Sequence, residues 1–199
     1  MNKLGTVRII LWALVALAAV GFAYLQLRPT PLPQPSQPYA AALGGPFALT
    51  AADGSTVTAD SLKGRPFALF FGFTRCPDVC PTTLARLASL RGRMGSAGET
   101  LQIVFVSVDP EADKPADVGQ YTAMFGAPII GLTGTPEQIA KIAKAYRIYY
   151  AKVPQDGGNY TIDHTATVFL MDRHGRLQST LDMKESHEAA LAKLRRLVS

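Results

Sequence analysis

The sequence predicts an α/β domain, and three stretches carry that prediction. Residues 67–73, Phe-Ala-Leu-Phe-Phe-Gly-Phe, form a short apolar run that suits a strand buried on both faces. Residues 101–108, Leu-Gln-Ile-Val-Phe-Val-Ser-Val, form a second strongly β-prone run. Between them lies Thr82-Thr83-Leu84-Ala85-Arg86-Leu87-Ala88-Ser89-Leu90, which reads as a helix, so strand, helix and strand succeed one another as in a right-handed parallel crossover.

The 199 residues have room for one ordinary domain and an appendage. Residues 9–27 are almost uninterrupted apolar sequence of about bilayer-spanning length, preceded by Lys3 and Arg8. Residues 1–28 are therefore expected to be a transmembrane anchor, with those charges in the cytoplasm and the rest of the chain outside it. A cleaved signal peptide is the rival reading, because Ala16-Leu17-Ala18 follows a short apolar region. The apolar run continues past that point through Val20, Phe22 and Leu25, which favours the anchor, and either reading exports the chain. Residues 29–42 begin Pro-Thr-Pro-Leu-Pro-Gln-Pro-Ser-Gln-Pro and form an extended linker. The remaining residues, 43–199, are the domain. Of the net charge of +5, Lys3, Arg8 and Arg28 flank the anchor, and beyond them 17 basic residues face 15 acidic ones. With no basic stripe and no interleaved aromatics, nucleic acid is not an expected partner.

Within the domain, residues 45–50 make a short strand that turns at Asp53-Gly54, and residues 57–62 lead through Lys63-Gly64 into the buried strand. Beyond residue 108, residues 115–125 suit a helix and residues 129–132 a short strand. Thr135-Pro136-Glu137 supplies an N-cap and a first-turn proline for a helix running to Tyr146. Residues 149–153, a Gln155-Asp156-Gly157-Gly158-Asn159 turn and the stretch from Tyr160 read as a hairpin. Residues 166–172 are a core strand, and Arg173-His174-Gly175-Arg176 turns into residues 177–181. Residues 185–198 close the chain as an amphipathic helix with Ala190, Leu191, Leu194 and Leu197 on its inner face.

Chemistry concentrates where the first core strand ends. The chain's two cysteines, Cys76 and Cys80, lie in Thr74-Arg75-Cys76-Pro77-Asp78-Val79-Cys80-Pro81. Pro77 and Pro81 suit a first helical turn, and Pro81 disfavours helical geometry at Cys80. The helix is thus expected to begin near Pro81, with both sulfurs on the loop at its positive end. That position lowers a thiol's pKa, and the thiolate is the form that attacks disulfides or binds metal. A structural disulfide is the plainer alternative, although a loop this short would gain little from one.

Of the three histidines, His187 lies among charges in a helix and His174 in a turn, and both read as solvated. His164 differs: it sits in Thr161-Ile162-Asp163-His164-Thr165 at the mouth of a core strand, as a ligand or as a hydrogen-bonded structural histidine. If strands 67–73 and 166–172 are neighbours, His164 reaches the sheet edge that carries Cys76 and Cys80. Two sulfurs and one nitrogen suit copper(I), copper(II) or zinc by softness, and the set is incomplete for structural zinc. The same dithiol can cycle through a disulfide, so metal carriage and electron transfer are compatible.

Three motifs in order, Phe71-Gly72-Phe73-Thr74-Arg75-Cys76-Pro77-Asp78-Val79-Cys80-Pro81, then Ser107-Val108-Asp109-Pro110 with Asp113 and Pro115, then Asp163-His164-Thr165, make the chain similar to a known family. Over residues 44–197 it resembles the Sco/SenC family of copper-binding cytochrome c oxidase assembly proteins. The resemblance implies a thioredoxin-like fold, a central mixed sheet flanked by helices, with an N-terminal transmembrane helix. It implies a single-pass protein of the inner membrane whose C-terminal domain lies in the periplasm. It also implies copper, as Cu(I) or Cu(II), at Cys76, Cys80 and His164. The implied client is cytochrome c oxidase subunit II or a related copper-site protein, served by copper delivery, by reduction of that site's cysteines, or both.

The expected function is therefore that of a copper chaperone, with a dedicated thiol-disulfide oxidoreductase acting through Cys76 and Cys80 as the alternative. Three residues separate the cysteines where thioredoxins have two, and residues 160–168 lack the proline that thioredoxins set opposite their disulfide. General disulfide reduction fits less well for both reasons, and a peroxiredoxin needs its cysteine in a different loop context. Asp78 and Asp109 are the candidates for supporting the ligands or capping the loops.

Overall fold

The computed structural model describes residues 11–19, 21–22, 24 and 43–199. The chain divides between Ser36 and Gln37 into two units. In the first, residues 11–19 are helical, with Leu11, Trp12, Leu14, Val15 and Leu17 exposed. The ends of the expected anchor and the whole linker at 29–42 lie outside the described residues. Among the described residues, no helix is long and apolar enough to cross a membrane.

The second unit is built on one sheet. Its strands are β1 (Ala48–Ala51), β2 (Thr56–Thr58), β3 (Phe67–Gly72), β4 (Gln102–Ser107), β5 (Ile129–Thr133), β8 (Val168–Met171) and β9 (Leu177–Leu181). Two more, β6 (Tyr150–Pro154) and β7 (Tyr160–His164), pair only with each other. The sheet runs β2-β1-β5-β4-β3-β8-β9. Strand β3 is parallel to β4 and antiparallel to β8, and β4 is parallel to β5, so the sheet is mixed. The apolar run that suggested a strand covered on both faces is buried at all six positions of β3.

The helices are α1 (Val79–Arg93), α2 (Ser96–Glu99), α3 (Pro115–Ala123), α4 (Pro136–Ala145) and α5 (His187–Val198). Thr135 caps α4 by accepting from the Gln138 N–H, while Gln138 reaches back to the Thr135 N–H, a reciprocal box that sets where the helix starts. Helix α5 buries Ala190, Leu191, Leu194 and Leu197, the stripe read from the sequence.

The start of α1 corrects the expectation. The helix begins at Val79, two residues before Pro81, so Cys80 lies in its first turn and is fully buried. A proline this near the start removes an N–H that has no intrahelical partner, so Pro81 costs the helix no bond. The Cys80 N–H is directed instead at the Cys76 sulfur, 3.4 Å away. The short α2 has no counterpart in the sequence reading.

Leu194 is completely buried where α5 covers the sheet. Leu194→Ala should destabilise the domain by about 2–5 kcal/mol, measured as a lowered midpoint in guanidinium titration of the full chain.

Candidate metal centre

Gly72, the last residue of β3, makes room for the site. A Cβ there would stand 2.7 Å from the Cys80 Sγ and 2.9 Å from the Phe105 ring, so the sulfur lies directly against the strand backbone. The chain leaving β3 is then stapled to the chain leaving β4. Asp113, buried, accepts from the Thr74 N–H at 2.9 Å, from the Thr74 hydroxyl at 2.6 Å and from the Ser107 hydroxyl at 2.6 Å. Ser107 and Gly72 are register partners in the β3–β4 ladder, so the staple sits at the sheet edge where the cysteine loop begins.

His164 arrives from the other side. Phe70 pairs with Val168 in the antiparallel β3–β8 ladder, which brings the end of β7 to the cysteine loop. The His164 Nδ1 lies 3.1 Å from the Thr165 carbonyl oxygen. A carbonyl only accepts, so Nδ1 carries a proton and Nε2 is the ring nitrogen turned toward the sulfurs. That Nε2 faces the Cys80 Sγ at 3.5 Å, and Phe70 and Phe73 meet the imidazole edge-on. The Cys76 and Cys80 sulfurs and a His164 ring nitrogen all lie within 4.8 Å of one another. Cys80 is buried, whereas Cys76 and His164 are half-buried and form the open side of the group.

Neither cysteine is in a disulfide, and the two hold their protons unequally. The hydrogen bond from Cys80 holds the Cys76 thiol far below its ordinary range, at about 4, aided by His164 and by the Cys80 and Asp78 backbone N–H groups. The same bond, together with burial, pushes the Cys80 thiol far up. At neutral pH the pair is therefore a Cys76 thiolate beside a Cys80 thiol. The cluster can donate two sulfurs and one imidazole nitrogen to a soft or borderline metal.

The other predicted residues separate. Asp78 is exposed at the N-cap position of α1, and its carboxylate accepts the Thr82 hydroxyl at 3.3 Å, so it acts on the site through its backbone N–H. Asp109 is fully buried and takes the Arg75 guanidinium at 2.7 Å and the Tyr160 hydroxyl at 3.0 Å from each carboxylate oxygen. His174 and His187 are exposed and stand outside the group. Sequence reasoning did not single out Thr74, Arg75 and Tyr160, and it met Asp113 only as part of a motif. Contacts such as Tyr160–Asp109 join residues 51 positions apart, a separation that leaves no local pattern.

The chain is similar to known proteins. The profile of the family described as SCO1/SenC matches residues 35–199. The structure of Bradyrhizobium japonicum ScoI with copper bound is 47% identical, with a TM-score of 0.73, and the match covers 78% of this chain and 99% of that one. The Arabidopsis thaliana protein SCO1 homolog 1, mitochondrial, is 43% identical over 132 residues, which are 66% of this chain and 40% of that protein. BsSco, a member of the Sco family of cytochrome c oxidase assembly proteins in which a disulfide switch was identified, is 25% identical, with a TM-score of 0.61 and 77% of this chain and 92% of that one covered. The chain spans between 40% and 66% of the length of the curated relatives it matches.

The unequal thiols predict a pH profile. A lowered pKa keeps Cys76 as thiolate down to a pH of about 4, so its alkylation by iodoacetamide should be nearly flat from about pH 5.5 to 8. Cys80 should stay unmodified until the protein is denatured. Peptide mapping by mass spectrometry checks both, and a Cys76 rate that rises about tenfold per pH unit across that range would contradict the shift.

Proposed function

The chain belongs to the SCO1/SenC family, and on that premise we propose that it is a copper chaperone that assists assembly of the copper site of cytochrome c oxidase. The observation that carries this reading is the convergence of the Cys76 and Cys80 sulfurs and a His164 ring nitrogen on one small volume. Two thiolates and a neutral imidazole match the softness of copper in either oxidation state, and the copper bound to Bradyrhizobium japonicum ScoI supports the choice of metal. Copper is the cargo. Its entry displaces the proton of Cys80, because a metal-bound sulfur is a thiolate. Three donors with one open side suit a carrier that must pass its metal on, since a closed four-ligand site would retain it.

The client in this reading is cytochrome c oxidase subunit II or a related copper-site protein, with BsSco's membership of a family of oxidase assembly proteins as the support. The domain stands in the periplasm on a single-pass anchor in the inner membrane. The exposed apolar side chains of Leu11, Trp12, Leu14, Val15 and Leu17 on one helical stretch support that anchor. Residues 1–28 are then the anchor, 29–42 the spacer and 43–199 the copper-binding, thioredoxin-like domain.

One observation favours a second reading, a dedicated reductant of the client's cysteines. Cys76 is a half-exposed thiolate beside a second thiol, the arrangement in which one sulfur attacks a disulfide and the other releases the mixed disulfide. Cys80, however, is buried and held protonated, which slows that second displacement and favours delivery as the main role.

Replacing Cys76, Cys80 or His164 singly by Ala in the full chain should weaken Cu(I) binding, read by competition with a chromophoric chelator. The loss should exceed the roughly 10–100-fold expected from removing a supporting hydrogen bond to a ligand. His174→Ala and His187→Ala should bind as the parent does. In cells, loss of oxidase activity in both His164→Ala and Cys76→Ala supports copper delivery, whereas full activity in His164→Ala alone selects the reductant.

A further inference from the structure

The two halves of the ligand set are joined at one buried carboxylate. Strand β7 carries His164 at its inner end and Tyr160 four residues away, about 13 Å along an extended strand. Alternation along β7 sets Tyr160, Ile162 and His164 on the same face. Ile162 is buried, whereas Thr161 is half-buried and Asp163 exposed on the opposite face. Because β6 and β7 pair only with each other among the described residues, the hairpin has no ladder there to the main sheet to fix its tilt. At its root, the Thr165 N–H donates to the Tyr149 carbonyl at 3.0 Å and the Tyr149 N–H donates to the Thr165 hydroxyl at 3.1 Å.

Farther out, two polar ties hold the hairpin to the loop after β4. One is the Lys152–Glu111 ion pair at 2.6 Å, in which both side chains are well exposed. Such a pair contributes little. The other is the Tyr160 hydroxyl on Asp109, whose carboxylate is completely buried and is also held by Arg75, the residue before Cys76. The Tyr160 ring is itself fixed between cations, with the Arg75 guanidinium 4.7 Å and the Lys152 ammonium 4.5 Å from its centre. Asp109 is thus one anion that touches the cysteine arm and the histidine arm together.

We propose that Tyr160 and Asp109 form a latch that holds the β6–β7 hairpin in the position from which His164 completes the metal site, so that opening the latch withdraws the nitrogen ligand and releases the metal. Tyr160 is a positioning residue: it acts on copper through the strand that presents His164. The inference rests on the three-ligand reading above and specifies how that site lets go of its cargo.

Tyr160→Phe tests it, because the ring between the two cations remains and only the hydroxyl is lost. In the full chain loaded with Cu(I), release to a chelator should be roughly tenfold faster, the effect of losing one hydrogen bond to a charged group. In the metal-free protein the amides of Tyr160–His164 should exchange with solvent faster, while those of β3 and β4 should not. Glu111→Ala, which cuts the exposed tie and leaves the Lys152 ammonium over the Tyr160 ring, should leave both readings near the parent. Asp109→Asn, a second route to the same loss, should also speed release.

Parent-like release and hairpin exchange in Tyr160→Phe would overturn the latch, as would faster exchange spread evenly over the main sheet. If the parent fails to bind Cu(I), the three-ligand reading falls. The hairpin exchange of the metal-free protein still decides whether Tyr160 holds the arm.

Discussion

The antiparallel pairing of β3 with β8 is the constraint on which the centre depends. Cys80 and His164 are 84 residues apart, and the register of Phe70 with Val168 brings them to 3.5 Å. A one-residue slip would turn every side chain of β8 to the opposite face of the sheet. The slip is prevented by burial, since all of β3 and all of β8 are covered. Phe71 meets Phe169 edge-on at 6.2 Å and Tyr146 at 5.6 Å, so aromatic packing locks the strands that align the candidate ligands. Fold and site here share one set of contacts.

Burying two carboxylates beside a thiolate carries a cost that the structure offsets bond by bond. Asp113 is satisfied by Thr74 and Ser107, and Asp109 by Arg75 and Tyr160, so neither anion is left without donors. The arrangement also divides their work. Asp113 fastens the cysteine loop to the sheet, and Asp109 spans from that loop to the histidine strand. The His164 ring is oriented separately, by a backbone carbonyl, with Nε2 turned toward the sulfurs.

The sequence made the candidate ligands legible because their chemistry is local: a pair of cysteines beside prolines, and a histidine where polar residues break an apolar strand. The elements were legible too, from the buried run of β3 to the stripe of α5, since burial imposes a period that survives in one dimension. Two things were not. The start of α1 was misread because the restriction that Pro81 places on Cys80 was set against nothing, whereas in the fold it competes with packing the Cys80 sulfur against Gly72. The Arg75–Asp109–Tyr160 network could not be read at all. Its members come from the cysteine loop, the loop after β4 and the far end of β7, and only the folded chain brings them together.

The central claim is that two sulfurs and one imidazole nitrogen, each held by a different part of this framework, hold one copper ion. X-ray absorption at the copper edge of the Cu(I)-loaded full chain tests it most directly. The account predicts two sulfur scatterers and one nitrogen scatterer with the multiple-scattering pattern of an imidazole, and loss of that pattern alone in His164→Ala. A parent spectrum with sulfur scatterers only, or one unchanged by His164→Ala, would contradict it.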